Sequence, residues 1–494
     1  VLKNLAVMRF FIFHVPKIAD LLSNSGDRCR AYSGRRNCDM RNVWRRCGFF
    51  LTRVLPAALL VQLWATAVAW GATCQYNGND FAGGNGTANC PFEIANSVHL
   101  SNMRYFLGSH YKLIADIDMT GVAWTPIGSS NSFFNGNFDG NGFKISNLTI
   151  NQPSLQYVGL FGHTNTGAVI RNVVLENVDV NGRNYVGGLV GYHRGSIINS
   201  YATGNVKSND FQTGGLVGYN TGTITGSSAD VKVTVSSHYS GGLVGYNTGT
   251  ITNSYAEGKV SSTGQYVGGL VGANFGIIEK SYATGDVSGT GVVGGLVGHL
   301  YLSGSIANAY ATGAVNGPIN AGGLVGEFNG TGHITNTYAT GTVTDGSGIG
   351  GLVGKYTKGD ISGSFFDSGQ PDNGAGLPKS AEEMKRYITY EGWDFEDVWY
   401  IHDGHAYPRL RWEEASWDDY SGFAVELEEE GSKDYGQDIK LIITDATGEF
   451  DQILDGEVQV TVSVDGGDDL FDGTVTFAGG NATVTVKLEG GGLR

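Results

Sequence analysis

Short apolar runs that alternate with polar residues and end at glycine recur along most of this 494-residue chain. The most regular is the pentapeptide GGLVG, and a divergent copy, GLFG, begins at Gly159. Alternating runs bounded by glycine are typical of strands joined by turns. Successive full copies are 26 to 28 residues apart and begin at Gly187, Gly214, Gly241, Gly268, Gly294, Gly322 and Gly350.

Apolar positions also align from one unit to the next, in four columns. A unit of this length is too short for a propeller blade of ~40–45 residues, and it lacks helical spacing. We therefore predict an all-β protein centred on a parallel β-helix (solenoid) of about eight 27-residue coils. We expect the columns to stack in the core, with the direction of the tyrosine column left open. Their first and last members are Leu189 and Leu352, Ile197 and Ile361, Tyr201 and Phe365, and Val206 and Val343.

The pattern changes on either side of the repeats, which extend over residues 159–366. Residues 73–158 are predicted to form an N-terminal cap and the first coils, with a helix at 96–107. Residues 367–412 are rich in aromatic side chains and are predicted to be a C-terminal cap that plugs the trailing end. Residues 413–494 are acidic and alternate as short strands, which predicts a partial β-sandwich. Whether the sequence is a piece of a longer protein stays open.

Residues 1–72 are predicted to be an N-terminal extension plus a signal peptide. The apolar run at 54–70 follows a basic stretch and ends in the sequence Ala-Val-Ala, a pattern typical of signal cleavage. A transmembrane anchor is the alternative, but the run is short and contains Gln62. Because the sequence opens on Val1, Met40 is the predicted start. We predict a secreted or cell-surface protein whose mature chain does not insert into a membrane.

Charge and cysteine usage fit an exported chain. The formal net charge is −15, and eleven of the 32 Lys and Arg residues lie in residues 1–53. The remaining chain is strongly acidic and would repel a phosphate backbone, so nucleic acid is excluded as a predicted partner. After the predicted cleavage site only Cys74 and Cys90 remain. An even pair in an exported chain predicts a disulfide, with two free thiols as the alternative.

The repeat consensus, GGLVG-Y-N-x-G-x-I-x-N-S-Y-A-T-G, resembles the GLUG motif of bacterial secreted and surface proteins. That family includes adhesin-like proteins and some immunoglobulin A peptidases. The segments FNGNFDGNGFKISNLTI (134–150) and GWDFEDVW (392–399) fit the same proteins, so the resemblance covers about 75–412. It implies a structural module, not an activity. The acidic C-terminal stretch more loosely resembles bacterial immunoglobulin-like modules.

Candidate catalytic chemistry is sparse. None of the ten histidines lies in His-Glu-x-x-His; the nearest pattern, His402-Asp403-Gly404-His405, lies in a predicted loop. Parallel β-helices include polysaccharide lyases and hydrolases, which need clustered carboxylates. We interpret the acids of the repeats as scattered, not as one column. They include Asp210, Asp230, Glu257, Glu279, Asp286, Glu327 and Asp345.

We predict no cofactor, with calcium as the one candidate. Carboxylate oxygens are the ligands that calcium prefers. Turn-forming Asp is the preferred interpretation of the first three candidates, and a solvated acidic loop that of the rest. The candidates are Asp116, Asp118, Asp139, Asp465, Asp468, Asp469 and Asp472.

The two residues after GGLVG supply the candidate binding site. Tyr219, Asn220, Tyr246 and Asn247 repeat from coil to coil and would make a ligand-facing strip, because such side chains bind sugars and proteins. The alternative is a corner with a stabilising Asn ladder. We predict a non-enzymatic protein of adhesion, ligand binding or surface structure with an extracellular glycan or protein ligand. A carbohydrate-active β-helix enzyme and a passive rigid spacer are the other hypotheses.

Overall fold

The computed structural model describes residues 78, 80–344, 346–413, 423–427, 438–445, 456–463, 469–477 and 481–487. The chain divides into two compact units, residues 1–73 and 74–494. The first unit, which holds the whole of the predicted extension and signal peptide, lies outside the described residues, as does Cys74.

Parallel strands of successive coils stack into a β-solenoid of about nine turns. This confirms the predicted fold class, with about one turn more than the eight expected. Each complete coil passes through four ladders of strands. The first ladder, after GGLVG, comprises Phe161–His163, Val190–His193, Val217–Asn220, Val244–Asn247, Val271–Asn274, Val297–Leu302, Val325–Ala339 and Val353–Ser362, of which the last two continue into the second ladder.

The second ladder begins in the N-terminal region. It comprises Phe92–Ile94, His110–Leu113, Asn137–Asp139, Val169–Arg171, Ser196–Ile198, Thr223–Thr225, Thr250–Thr252, Ile277–Ala283 and Ser305–Ala311, of which the last two continue into the third. The third comprises Ile117–Asp118, Lys144–Ser146, Thr149–Asn151, Val174–Gly182, Tyr201–Ser208, Ser228–Val235, Tyr255–Ala256, Val260–Ser262, Val287–Gly289, Val315–Asn316, Val343–Thr344, Phe365–Asp367 and Leu377–Lys379. The fourth precedes GGLVG and comprises Gln156–Val158, Asn184–Val186, Thr213–Gly214, Ser240–Gly241, Val267–Gly268, Val292–Gly294 and Ile319–Gly322.

The repeated apolar columns fill the inside of the coils. Leu216, Ile224 and Val233 are fully buried, and the same holds for their equivalents through most of the solenoid. Equivalent residues pair directly, as Ile224 does with Ile251. Burying each such side chain stabilises the fold by roughly 1.5–3 kcal/mol. The predicted leucine, isoleucine and valine columns are therefore the core.

The glycines of GGLVG let neighbouring coils approach closely. The amide of Gly215 donates to the carbonyl of Gly242 in the next coil, at 3.0 Å. A Cβ atom on Gly215 would collide with that same carbonyl oxygen. Any larger residue here would push the two coils apart, which explains why the pentapeptide repeats so strictly.

The tyrosine column points out of the coil. Tyr255 precedes Ala256, whose side chain lies in the core, and neighbours along a strand face opposite ways. Ring centroids of Tyr282 and Tyr310 lie 4.8 Å apart in a stack outside the coil. The direction that the sequence left open is therefore outward. Tyr282, Tyr310 and Tyr338 are nevertheless buried, because another segment covers them.

That segment is residues 380–413, which we call the strap. It runs back along the side of the solenoid, whereas a plug over its trailing end was expected. Its indole groups donate hydrogen bonds to different coils: Trp393 to the carbonyl of Gly363 at 2.9 Å, and Trp412 to the carbonyl of Lys280, three coils back, at 2.8 Å. Trp399, fully buried, donates to Asn308 Oδ1 at 3.2 Å.

Regular structure in the strap is short. It holds 3₁₀ turns at Glu383–Lys385, Tyr387–Tyr390 and Arg411–Glu413, and an antiparallel pair, Trp399–Tyr400 with Arg409–Leu410. The predicted N-terminal helix is present as Ser97–Asn102, followed by a 3₁₀ turn at Met103–Tyr105. Among the described residues no helix is both long and apolar enough to cross a membrane.

The described part of the acidic C-terminal region consists of five strands. They pair antiparallel in two sheets: Phe423–Leu427, Asp438–Asp445 and Asn481–Lys487 in one, and Gly456–Ser463 and Asp469–Phe477 in the other. An immunoglobulin-like identity of this region stays a prediction.

Candidate functional site

The predicted ligand-facing strip divides between two faces of one strand. Tyr219 and Asn220 are neighbours in Val217–Asn220, so their side chains point opposite ways. Tyr219 and Tyr246 lie half-buried at the surface, whereas Asn220 and Asn247 are fully buried. The prediction that the two asparagines face a ligand is therefore wrong, and the alternative of an Asn ladder is correct for them.

The ladder connects consecutive coils through side-chain amides. Asn220 Nδ2 donates to Asn247 Oδ1 at 2.8 Å, and Asn247 Nδ2 donates to Asn274 Oδ1 at 2.7 Å. His193 occupies the preceding position and pairs in register with Asn220. Its Nδ1 lies 2.9 Å from Thr164 Oγ1. The asparagine amides inside the coil thus satisfy one another along the solenoid axis, whereas His193 Nε2 has no hydrogen-bond partner among the described residues.

A second tyrosine column lies beside Tyr219 and Tyr246, at a left-handed corner two residues before GGLVG. Backbone φ is 54° at Tyr185, 63° at Tyr239 and 62° at Tyr266. A non-glycine residue held there costs of order 1–3 kcal/mol, and such strain concentrates at functional positions. The left-handed members of the column are Tyr157, Tyr185, Gln212, Tyr239, Tyr266, Asn320 and Gly348, whereas Val292, at the same position before Gly294, is not left-handed.

A second corner of the same coils holds residues that adopt a left-handed backbone with less strain. The backbone there is also left-handed, with φ between 47° and 59°, but most positions hold asparagine or glycine. Those residues visit this conformation readily, whereas bulky ones do not. Corner geometry alone therefore does not explain tyrosine. The column is Asn172, Asn199, Gly226, Asn253, Lys280, Asn308, Asn336 and Gly363.

The two surface tyrosine columns combine into one continuous strip that we call the aromatic belt. Ring centroids of Tyr219 and Tyr246 are 4.9 Å apart and nearly parallel, and Tyr239 meets Tyr246 edge-on at 5.2 Å. All of its members lie half-buried at the surface. The belt is Tyr157, Tyr185, Tyr192, Tyr219, Tyr239, Tyr246, Tyr266, Phe275, His299 and Tyr301.

The belt presents ring edges and hydroxyl groups to solvent. Stacked rings cover each other's faces, as in the pair Tyr157 and Tyr185, whose planes differ by 2°. Within the described part of the chain, the hydroxyls of Tyr185 and Tyr246 make no hydrogen bond to protein. Burial raises the pKa of Tyr246 to about 12, so this hydroxyl is neutral at ordinary pH.

Except for Arg194, the charged groups near the belt that the structure describes are paired or neutral. Arg183 Nε lies 3.2 Å from Asp210 Oδ2, and Lys355 Nζ lies 2.8 Å from Glu327 Oε1. Arg194 lies over the ring of Tyr192, at 5.3 Å from its centroid. Burial lowers the pKa of His299, which favours its neutral form. The surface is therefore apolar and hydroxyl-rich, with little net charge.

A cleft of about 310 Å³ opens at the N-terminal end of the belt. Tyr157 belongs to both, and the other lining residues carry hydroxyl, amide or small apolar groups: Thr125, Pro126, Gly128, Ser129, Ser130, Leu155 and Gln156. The His163 ring stacks on Tyr157 at 5.4 Å and is almost fully buried. Burial, and then Arg194, lower the pKa of His163 to about 4.

Two acids, Asp230 and Glu257, take equivalent positions in adjacent coils, although the repeat acids as a set do not form one column. Asp230 pairs in register with Thr203, and Glu257 stands one coil further on. Burial and then the neighbouring Asp230 raise the pKa of Glu257. Both side chains are exposed. Two acids in adjacent coils are the kind of pair that a polysaccharide-cleaving site uses.

The candidate calcium ligands of the N-terminal turns accept hydrogen bonds from the protein's own backbone amides. Asp118 Oδ1 accepts from the Thr120 amide at 2.9 Å, and Asp139 Oδ1 accepts from the Asn141 amide at 2.9 Å. In the described ranges no group of three or more His, Cys, Asp or Glu has a metal-binding arrangement. Asp465 and Asp468 lie outside those ranges, and no side chain is described for Asp469 or Asp472.

The structure describes only one of the two cysteines of the predicted disulfide. Cys90 is disulfide-bonded. Its predicted partner, Cys74, lies outside the described residues, so the pairing itself stays a prediction.

Fold and site together define a parallel β-solenoid repeat protein. The chain carries GLUG repeats: the family described as "The GLUG motif" matches residues 182–207, 209–234, 236–261, 263–288 and 289–316. The match confirms the resemblance stated for the repeats.

Two curated proteins are similar over part of this chain. A protein proposed to be a Gly-rich membrane protein, from Evansella cellulosilytica, is 34% identical over 154 residues. Halomucin from Haloquadratum walsbyi is 37% identical over 142 residues. The matches cover 29% and 26% of this chain, but only 18% and 2% of those relatives.

One solved structure is also similar. It is the crystal structure of a protein proposed to be an immunoglobulin A1 protease, from Bacteroides ovatus. The similarity has a TM-score of 0.42 at 24% identity and covers 68% of this chain and 97% of that one.

Proposed function

We propose that this chain is an exported, non-enzymatic protein of the cell surface or extracellular space that binds an extracellular ligand through the aromatic belt. Such binding would contribute to adhesion or to the structure of the cell surface. The observation that carries the proposal is the choice of tyrosine at left-handed corners, where the other corner of the same coils uses asparagine and glycine. Selection for binding accounts for residues that folding alone disfavours.

The names of the relatives support the setting. One is proposed to be a Gly-rich membrane protein, and the other is named halomucin. A predicted signal peptide and an acidic body agree with an exported chain.

Binding of the purified protein to immobilised extracellular polymers and cell surfaces tests the proposal. The double variant Tyr219→Ala/Tyr246→Ala should lose about tenfold or more in affinity, because truncating aromatic anchors costs 1–2 kcal/mol or more. Tyr201→Ala is the matched control, since it removes the same side chain from another face. Equal binding by the double variant and the wild type contradicts the proposal.

The two other hypotheses give different results in that experiment. Release of new reducing ends from a polysaccharide, abolished by Glu257→Gln, favours a carbohydrate-active enzyme. Absence of binding to every surface favours a passive spacer.

A further inference from the structure

The aromatic belt repeats with the coils, and its period constrains what can lie along it. Neighbouring coils are separated by the ~4.8 Å spacing of β-strands. Ring centroids of Tyr192, Tyr219 and Tyr246 follow that step at 4.7 and 4.9 Å. From Tyr157 to Tyr266 the belt crosses four coil intervals, roughly 19 Å. A ligand that uses the whole belt must therefore repeat at close to this spacing.

An extended peptide does not fit this period. Its side chains return to the same face every second residue, at roughly 6.6 Å, so a peptide parallel to the axis loses register within two coils. One sugar ring of an extended polysaccharide is close to the coil spacing in length. A linear glycan can therefore repeat the same contacts on each coil.

The chemistry of the belt also matches a glycan. Each coil offers an apolar ring edge beside a hydroxyl, and the hydroxyls of Tyr185 and Tyr246 lack a protein partner among the described residues. A sugar presents apolar C–H groups beside hydroxyls that donate and accept hydrogen bonds. Gln156, Asn184 and Gln265, each next to a corner residue, add neutral amides along the same edge.

Charge selects among glycans. Arg183 and Lys355, which flank the belt, are paired with Asp210 and Glu327, whereas Arg194 lies over the Tyr192 ring as a single cation. Residues 157–366 hold nine Lys/Arg and ten Asp/Glu, so the solenoid has little net charge. An anionic polysaccharide would therefore find no row of cations along the belt.

We propose that the aromatic belt binds a neutral, linear polysaccharide that lies parallel to the solenoid axis, with about one sugar per coil. This rests on the proposed function and names the ligand class for the same site. The cleft beside Tyr157 lies in line with the belt and leaves room for the chain to continue.

Calorimetric titration of the full chain with neutral oligosaccharides of increasing length tests the inference. The probes are soluble β-1,4-linked glucose and N-acetylglucosamine oligomers, with a polyuronate of matched length as the anionic comparison. Affinity should rise with each added sugar until the oligomer spans the belt and then level off. It should change less than about twofold between low and moderate salt, since no ion pair forms.

Two corner variants separate the belt from general stability. Tyr239→Asn keeps a left-handed corner that asparagine adopts elsewhere in these coils, and it should reduce affinity for long oligomers about tenfold. Asn253→Gly, at the other corner, is the matched control and should bind as the wild type does. Both variants should show wild-type circular dichroism.

Several outcomes overturn the inference. They are failure of all neutral oligomers to bind, affinity independent of length, preference for the polyuronate, or equal affinity of Tyr239→Asn and wild type. Belt-dependent self-association in sedimentation would instead identify a second copy as the occupant. If neutral oligomers fail while the double tyrosine variant still loses surface binding, the proposed function stands and only the ligand class is wrong.

Discussion

At the scale of single residues, side-chain direction decides which repeats are structural and which are available for binding. Tyr219 and Asn220 are neighbours in one strand, but the Tyr219 side chain points outward and the Asn220 side chain points into the coil. Periodicity predicted the Leu, Ile and Val columns because their type identifies them as core. It could not predict which member of the Tyr-Asn pair is buried, since that depends on where the corner falls.

The corner tyrosines were missed for a related reason. They follow the spacing of the coils, but Gln212, Val292, Asn320 and Gly348 interrupt the column. A left-handed backbone is also an unusual conformation for tyrosine, so residue type gives no sign of it. Aligning every position two residues before GGLVG would have revealed the column.

His193 gives a prediction at this scale. It is fully buried, and burial lowers its pKa to about 4, whereas the unfolded chain takes up the same proton near 6.5. The free energy of unfolding should therefore fall as pH drops from 6.5 to 4, by up to about 3 kcal/mol. His193→Asn, which continues the Asn ladder, should remove this part of the pH dependence.

Urea unfolding across that pH range provides the measurement. His405→Asn, which changes an exposed histidine, is the control and should leave the pH dependence unchanged. An unchanged pH slope in His193→Asn would show that burial of this imidazole does not set the acid sensitivity.

At the scale of elements, the strap is a separate structure that the solenoid supports. It covers the outward tyrosines with three tryptophans and accepts the Tyr338 hydroxyl at the carbonyl of Pro408, at 2.7 Å. The sequence indicated an aromatic segment that packs on the repeats but not its path. Plugging the end and covering the side bury similar aromatic side chains, so composition cannot distinguish them.

Trp399→Ala should detach the strap without unfolding the coils. The side chain is fully buried against Tyr310 and Tyr338, and its removal should cost about 3–5 kcal/mol locally. Tryptic cleavage after Arg409 and Arg411 should accelerate while the repeat region stays intact. Tyr387→Ala, at an exposed strap residue, is the control. Simultaneous loss of the repeat region would mean that strap and coils unfold together.

At the scale of the whole molecule, the solenoid is a stack of units that contact mainly their neighbours. Stability in such proteins is close to a sum over repeats and their interfaces. Register between coils is kept by identical spacing, as in the pairing of Val217 with Val244.

Deletion of residues 214–240 removes one complete 27-residue coil and should leave a folded protein. Gly241 then takes the place of Gly214, and the solenoid shortens by roughly 4.8 Å. Small-angle scattering measures the length and circular dichroism the strand content. Deletion of 214–236 is the control, because it leaves a coil of the wrong length and should disrupt folding. Equal tolerance of both deletions would show that coil register does not determine the fold.

The path of the strap also determines how tension would enter the molecule. Glu413 lies beside Tyr310, so the chain leaves the strap along the side of the solenoid and not at its trailing end. A pull from beyond residue 413 loads Trp412 first and peels the strap one tryptophan at a time. Once detached, the strap can extend to a length of about 110 Å, at ~3.3 Å per residue, before force reaches Lys379 and the coils. The belt would keep its shape throughout that extension.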